Sequence, residues 1–81
     1  MYSVYILYSH QYSKIYIGYT SDLKNRLESH NVYGKGYTAR FRPWKIIHAE
    51  EFDTKLKAIR REKELKSAQG RSFAWSLIKG A

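Results

Sequence analysis

Tyr5, Tyr16, Arg26, His30 and Glu62 are the side chains of this sequence best suited to cleaving a phosphodiester. Phenols and an imidazole can move protons, a guanidinium can offset charge growing on a phosphoryl group, and a carboxylate can hold a divalent metal ion. The residues lie far apart in the chain, so the elements that carry them must bring them together.

Two runs rich in β-branched and aromatic residues, Tyr2 to Tyr8 and Lys14 to Tyr19, flank a short and mostly polar stretch from Ser9 to Ser13, which predicts a hairpin. A turn centred near Gln11 sets Tyr5 roughly opposite Tyr16 on one sheet face, whereas a slip of one residue separates them. Thr20 or Ser21 can cap a helix with Asp22 in its first turn, running to about His30 or Asn31. Leu23, Arg26, Leu27 and His30 then share one stripe, which turns Arg26 and His30 toward the sheet or its rim. Asn31 to Pro43 reads as a basic, glycine-containing connection with interleaved aromatics, and Trp44 to Phe52 as a third strand. Asp53 caps a second helix from about Thr54 to Lys66, Gln69 and Gly70 break it, and Ser72 to Lys79 forms a short closing helix over the sheet.

On that second helix Ala58, Ile59 and Leu65 surround Glu62, while Glu64 points to the opposite side among solvent-facing charges. A carboxylate on an apolar face needs a partner, and either a metal ion or a structural ion pair with Arg26 would serve. Arg26 can equally pair with Asp22 one turn away, His30 can simply end a helix, and Tyr5 and Tyr16 can be ordinary strand aromatics. His10 and His48 have no ligand partner at a suitable spacing and are assigned no role. The Gly34-Lys35-Gly36 stretch lacks full nucleotide-binding spacing and supports at most a phosphate contact through Lys35 or the backbone.

Composition narrows the partners. With 81 residues the chain reads as one domain with a thin core in which eight Tyr, three Phe and two Trp carry much of the packing. Fifteen Lys plus Arg against seven Asp plus Glu give a formal charge of +8, which attracts polyanions and points first to nucleic acid. The absence of cysteine excludes disulfides and thiolate chemistry. No apolar run approaches the roughly 18 residues of a membrane span and the N-terminus lacks a leader pattern, so a soluble, cytoplasmic protein is expected.

Ser3-Val4-Tyr5, then Tyr16-Ile17-Gly18, then Arg26 and His30, then Arg60-Arg61-Glu62 ahead of Leu65-Lys66, resembles the GIY-YIG nuclease superfamily and within it the small stand-alone bacterial branch. The resemblance spans Tyr2 to about Lys66 and implies an α/β fold of the α+β type: a three-stranded antiparallel sheet flanked by two to three helices in the order β-β-α-β-α-α. It further implies a single divalent ion, Mg2+ or Mn2+, held by Glu62; Tyr5, Tyr16 and His30 positioning and deprotonating the attacking water; and Arg26 stabilising the phosphoryl group. A tyrosine base requires a phenol pKa lowered from about 10 by nearby positive charge. The sequence departs from the family pattern at Ser3 and Val4 and has no asparagine beyond Asn31, so the contact made by the C-terminal asparagine of many members is either absent here or supplied by another group such as Gln69. Small stand-alone members carry no separate DNA-binding domain, which implies low sequence selectivity and room for a protein partner that supplies it.

The leading expectation is therefore a metal-dependent DNA endonuclease acting on repair or recombination structures. The alternative is a non-catalytic nucleic-acid-binding module using Lys35, Arg40, Arg42, Arg60 and Arg61. A protein-interaction adaptor would have to expose Trp75, Leu77 and Ile78, which core packing explains more simply.

Overall fold

A computed structural model of the chain describes residues 1–33 and 36–79. Strands β1 (Tyr2–Ser9), β2 (Lys14–Thr20) and β3 (Lys45–Phe52) form an antiparallel sheet in the order β2-β1-β3. The helices are α1 (Leu23–Glu28), α2 (Tyr37–Arg40), α3 (Lys55–Lys66) and α4 (Ala68–Lys79), with a π-helical turn over Ser29–Tyr33 directly after α1.

The central strand is apolar on both faces, and each face has its own core. Val4 and Ile6 pack with Ile17 against Ala58, Leu65 and Ala74 of α3 and α4. Tyr5 and Leu7 point the other way, against Trp44 and the half-buried Leu23, Leu27 and Phe41. Helices and the segments around them thus cover both apolar faces of the sheet, which must be buried against another layer.

The hairpin closes through His10–Ser13, with Ser13 at φ 54°. Tyr5 lies opposite Gly18 and Tyr16 opposite Leu7, two residues from the register expected of the sequence. A slip of two leaves side chains on the same face, so both tyrosines still project to one side. Their ring centroids are 6.3 Å apart.

Four features differ from the sequence reading. Asp22 itself caps α1, its Oδ1 accepting from Asn25 N at 3.1 Å, and Thr54 rather than Asp53 caps α3. The basic connection contains α2, anchored where Trp44 Nε1 donates to Thr38 O at 2.7 Å. The break after α3 falls at Ser67, and α4 runs unbroken from Ala68 through Gln69 and Gly70. Ser67 is extended, donates its hydroxyl to Glu64 O and accepts from Gly70 N at 3.2 Å, serving both helix ends. Gly70 does not end a helix: a Cβ there would overlap the Leu65 backbone, so the missing side chain lets α4 fold tightly back on α3.

Candidate active site

The site is organised around β2. Tyr16 and Gly18 lie on one face of that edge strand and Tyr19 on the other, and residues of both faces line a cleft of about 510 Å³ that also receives Tyr5, Arg26, Lys55 and Glu62. Four of the five side chains picked out for chemistry therefore meet in one opening. The fifth, His30, stands behind Tyr5, 4% exposed, with its Nε2 3.0 Å from the Tyr5 hydroxyl.

Each side chain is placed by its own local cause. The α1 stripe continues into the π-helical turn, whose wider winding carries His30 under the sheet. Asn31 fixes that turn by donating to Trp44 O at 2.9 Å and accepting from Trp44 N at 2.6 Å, and Arg42 Nε donates to the His30 carbonyl at 2.8 Å. Gly18 lets the Tyr5 ring lie across β2, since a Cβ there would sit 2.8 Å from the Tyr5 hydroxyl oxygen. Glu62 follows the buried Ala58 by one turn of α3 and keeps its side chain 17% exposed, while Glu64 faces solvent at 65%.

The ionisation pattern departs from the expectation of a depressed phenol. Tyr5 is pushed up to about 12, first by burial and further by Tyr16 and Glu62, while hydrogen bonding to Arg26 pulls the other way without prevailing. Burial, and then the charge of Arg26, lowers His30 below its ordinary value, so the imidazole is neutral at neutral pH. The Tyr5 hydrogen bond raises Arg26 further. A guanidinium only donates, so Arg26 can act on the Tyr5 oxygen only as a donor, and the Tyr5 hydroxyl also lies within hydrogen-bond reach of His30 Nε2. Tyr5 is thus a phenol that keeps its proton, in hydrogen-bond contact with a neutral imidazole that can accept it in the tautomer protonated at Nδ1.

Neither pairing left open for Arg26, with Asp22 or with Glu62, is among the recorded ion pairs of the described residues. Asp22 spends its carboxylate on the α1 cap rather than on Arg26, whose hydrogen-bonding partners are Tyr5 and Tyr16. Among the described residues the ion pair recorded for Glu62 is with Lys66, at 3.5 Å and half in solvent, where such pairs contribute little. No group of three or more His, Cys, Asp and Glu is placed to hold a metal among the described residues. The donor set nevertheless fits a hard ion such as Mg2+, which takes one or two carboxylates and completes its shell with water and substrate phosphate. Glu62 would supply the carboxylate, and the cleft it lines has the room.

The cations read from sequence as phosphate contacts are dispersed. Lys35 lies outside the described residues. Arg40 stands over the Phe41 ring at 5.7 Å, and Arg42 holds the His30 carbonyl. Arg61 is bound by Glu50 through Nε and Nη2, each at 3.0 Å, so its charge is matched within the fold. The cleft takes its cations from Arg26 and from Lys55, which the sequence reading passed over. Lys55 precedes Glu62 by seven residues, two helical turns on the same face, and that spacing is the signal that would have revealed it.

Comparison with known proteins agrees with this architecture. Residues 1–74 match the family model described as the GIY-YIG catalytic domain. A UPF0213 protein of Bacillus velezensis is 46% identical over 56 residues, covering 67% of this chain and 56% of that protein. A UPF0213 protein of Haloquadratum walsbyi is 43% identical over 54 residues, covering 65% of this chain and 61% of that protein. The matched stretch thus spans little more than half the length of these curated relatives. The solution NMR structure of a UPF0213 protein from Bacillus halodurans superposes with a TM-score of 0.55 at 29% identity, covering 95% of this chain and 85% of that one. With paired tyrosines, arginine and glutamate gathered at one cleft, the histidine bonded to Tyr5 from behind it, and the family match covering residues 1–74, the protein belongs to the GIY-YIG nuclease family.

Proposed function

We propose that this chain is a metal-dependent endonuclease that hydrolyses phosphodiester bonds in DNA, including branched or damaged repair and recombination structures. The observation that carries the reading is the convergence of Tyr5, Tyr16, Arg26 and Glu62 on one cleft, with His30 bonded to Tyr5 from behind.

Glu62 would hold Mg2+ or Mn2+, which when bound supplies positive charge beside the phosphoryl oxygens. Arg26 and Lys55 add fixed cations on the cleft wall, where they hold the scissile phosphate and meet charge as it grows. Tyr16 orients the attacking water through its hydroxyl. As that water attacks phosphorus and the bond from phosphorus to the leaving sugar oxygen breaks, the water's proton passes to the Tyr5 oxygen while the Tyr5 proton passes to His30 Nε2, and the leaving oxygen takes a proton from solvent in the open cleft. The charge produced then resides on imidazolium and no free tyrosinate forms, which suits a phenol pushed up to about 12 beside a neutral histidine. General-base assistance of this kind contributes about 10²- to 10⁴-fold. Arg42 and Asn31 act through His30, fixing the turn from which it reaches Tyr5.

The test compares wild type with Glu62→Ala on nicked, gapped, branched and intact DNA, with Mg2+ or Mn2+ and with chelator. Cleavage by wild type that requires the metal and vanishes in Glu62→Ala, with DNA binding retained, is the expected result. Two equally inert proteins, or two equally active ones, overturn it.

A further inference from the structure

A second opening adjoins the cleft. It has a volume of about 250 Å³, is lined by Ile15, Tyr16, Ile17, Tyr37, Lys66 and Arg71, and shares Tyr16 with the first. Together the two openings follow the free edge of the sheet from Ile15 to Ser21, roughly 20 Å at about 3.3 Å per strand residue. A chain whose phosphate sits beside Arg26 and Glu62 and which follows this edge enters the second opening next.

That opening combines three surfaces. Tyr37 is 48% exposed, and its inner neighbours fix the ring: Phe41 at 4.9 Å, Trp44 at 6.2 Å and Tyr16 at 6.5 Å between centroids. Ile15 and Ile17 provide apolar wall. Lys66 at the end of α3 and Arg71 in the first turn of α4 supply positive charge; Arg71 enters no ion pair among the described residues, and Lys66 is held only by its 3.5 Å contact with Glu62. A supported aromatic platform beside two cations suits a nucleobase and its phosphate, and such stacking requires the base to be out of a duplex.

We propose that this opening is a subsite for one unpaired nucleotide flanking the scissile phosphate, its base stacked on Tyr37 and its phosphate held by Lys66 and Arg71. The inference rests on the endonuclease reading and adds a substrate class to it: DNA with single-stranded character beside the cut, such as a gap, flap or bubble.

The test uses fluorescence anisotropy with the Glu62→Ala protein and labelled DNA that is fully duplex or carries a one- to three-nucleotide gap, with 2-aminopurine at the unpaired position. Gapped DNA should bind more tightly than duplex and 2-aminopurine emission should be quenched. Tyr37→Ala should weaken gapped-DNA binding about 5- to 150-fold, Tyr37→Phe should retain it, and duplex binding should change little in either. Because Tyr37 also packs inside, Arg71→Ala serves as the second variant. It should reduce the salt slope of gapped-DNA binding by about 0.7, the share of one phosphate on single-stranded nucleic acid, without quenching being lost. Equal affinity for gapped and duplex DNA, or unchanged affinity and quenching in Tyr37→Ala, overturns the subsite. Wild type that cuts intact duplex as fast as gapped DNA also overturns it while leaving the endonuclease reading standing; wild type that binds gapped DNA through Tyr37 yet cuts nothing overturns only the latter.

Discussion

Gly18→Ala is the smallest change that tests whether the Tyr5–His30 pair is the working part of the site. The new Cβ would fall 2.8 Å from the Tyr5 hydroxyl oxygen, 3.1 Å from Tyr5 Cζ and 3.2 Å from Tyr16 Cε1. A carbon and an oxygen rest at about 3.3 Å or more, so the hydroxyl must move by roughly half an ångström. It has little room, because Tyr5 is 1% exposed and its oxygen lies 3.0 Å from His30 Nε2. The displacement either stretches that bond out of range or drives the oxygen into the ring nitrogen. Overpacking costs about 1–3 kcal/mol and a buried nitrogen without its partner a similar amount, so a loss of about 2–6 kcal/mol is expected. In a domain of this size that lowers Tm by about 10 °C or more. Misplacement at the reacting centre should reduce cleavage by about 10²-fold in protein shown to be folded. Thermal unfolding monitored by circular dichroism supplies the first readout, and it closes with a cycle: in a Tyr5→Phe background the 2.8 Å contact is gone, so Gly18→Ala should cost at least about 1 kcal/mol less. Additivity within about 0.5 kcal/mol, or a Gly18→Ala protein as stable as wild type, would refute the packing argument.

Other expectations concern pH and the helix corner. The pKa of Tyr5 is 10.0 unfolded and about 12 folded, so the stability it contributes is complete below pH 10 and is lost as pH rises toward 12; that is about 3 kcal/mol, and Tyr5→Phe should remove this alkaline loss from chemical denaturation measured across that range. His30 is lowered from 6.5, so the fold favours neutral imidazole; its contribution to stability is present above pH 6.5 and lost as pH falls through the folded pKa, and kcat should fall in the same direction. His30→Gln should cut kcat about 10²- to 10⁴-fold and abolish that acid limb, which a pH–rate profile of both proteins would show. Gly70→Ala should cost about 3 kcal/mol or more and separate α4 from α3, visible as lost amide protection in both helices by hydrogen exchange.

Local chemistry made the hairpin, the long helix after β3 and the inward carboxylate of Glu62 legible before any coordinates, because each follows from periodicity and capping within one segment. The shared face of Tyr5 and Tyr16 could be read despite the wrong register, since an error of two residues preserves facing in a strand. The position of the second helix break could not, because Gly70 signals a stop by propensity and serves instead as a packing gap, a role set by Leu65.

The sequence by itself determined which functional groups this protein has, which elements they ride on, and the excess positive charge that favours a polyanionic partner. Only the tertiary structure decided how those groups behave. It matched Arg61 to Glu50, brought Lys55 into the cleft, and buried Tyr5 beside a neutral His30 so that the phenol holds its proton rather than surrendering it. Ionisation and charge pairing depend on desolvation and on neighbours that folding brings from distant segments, and neither exists along an extended chain.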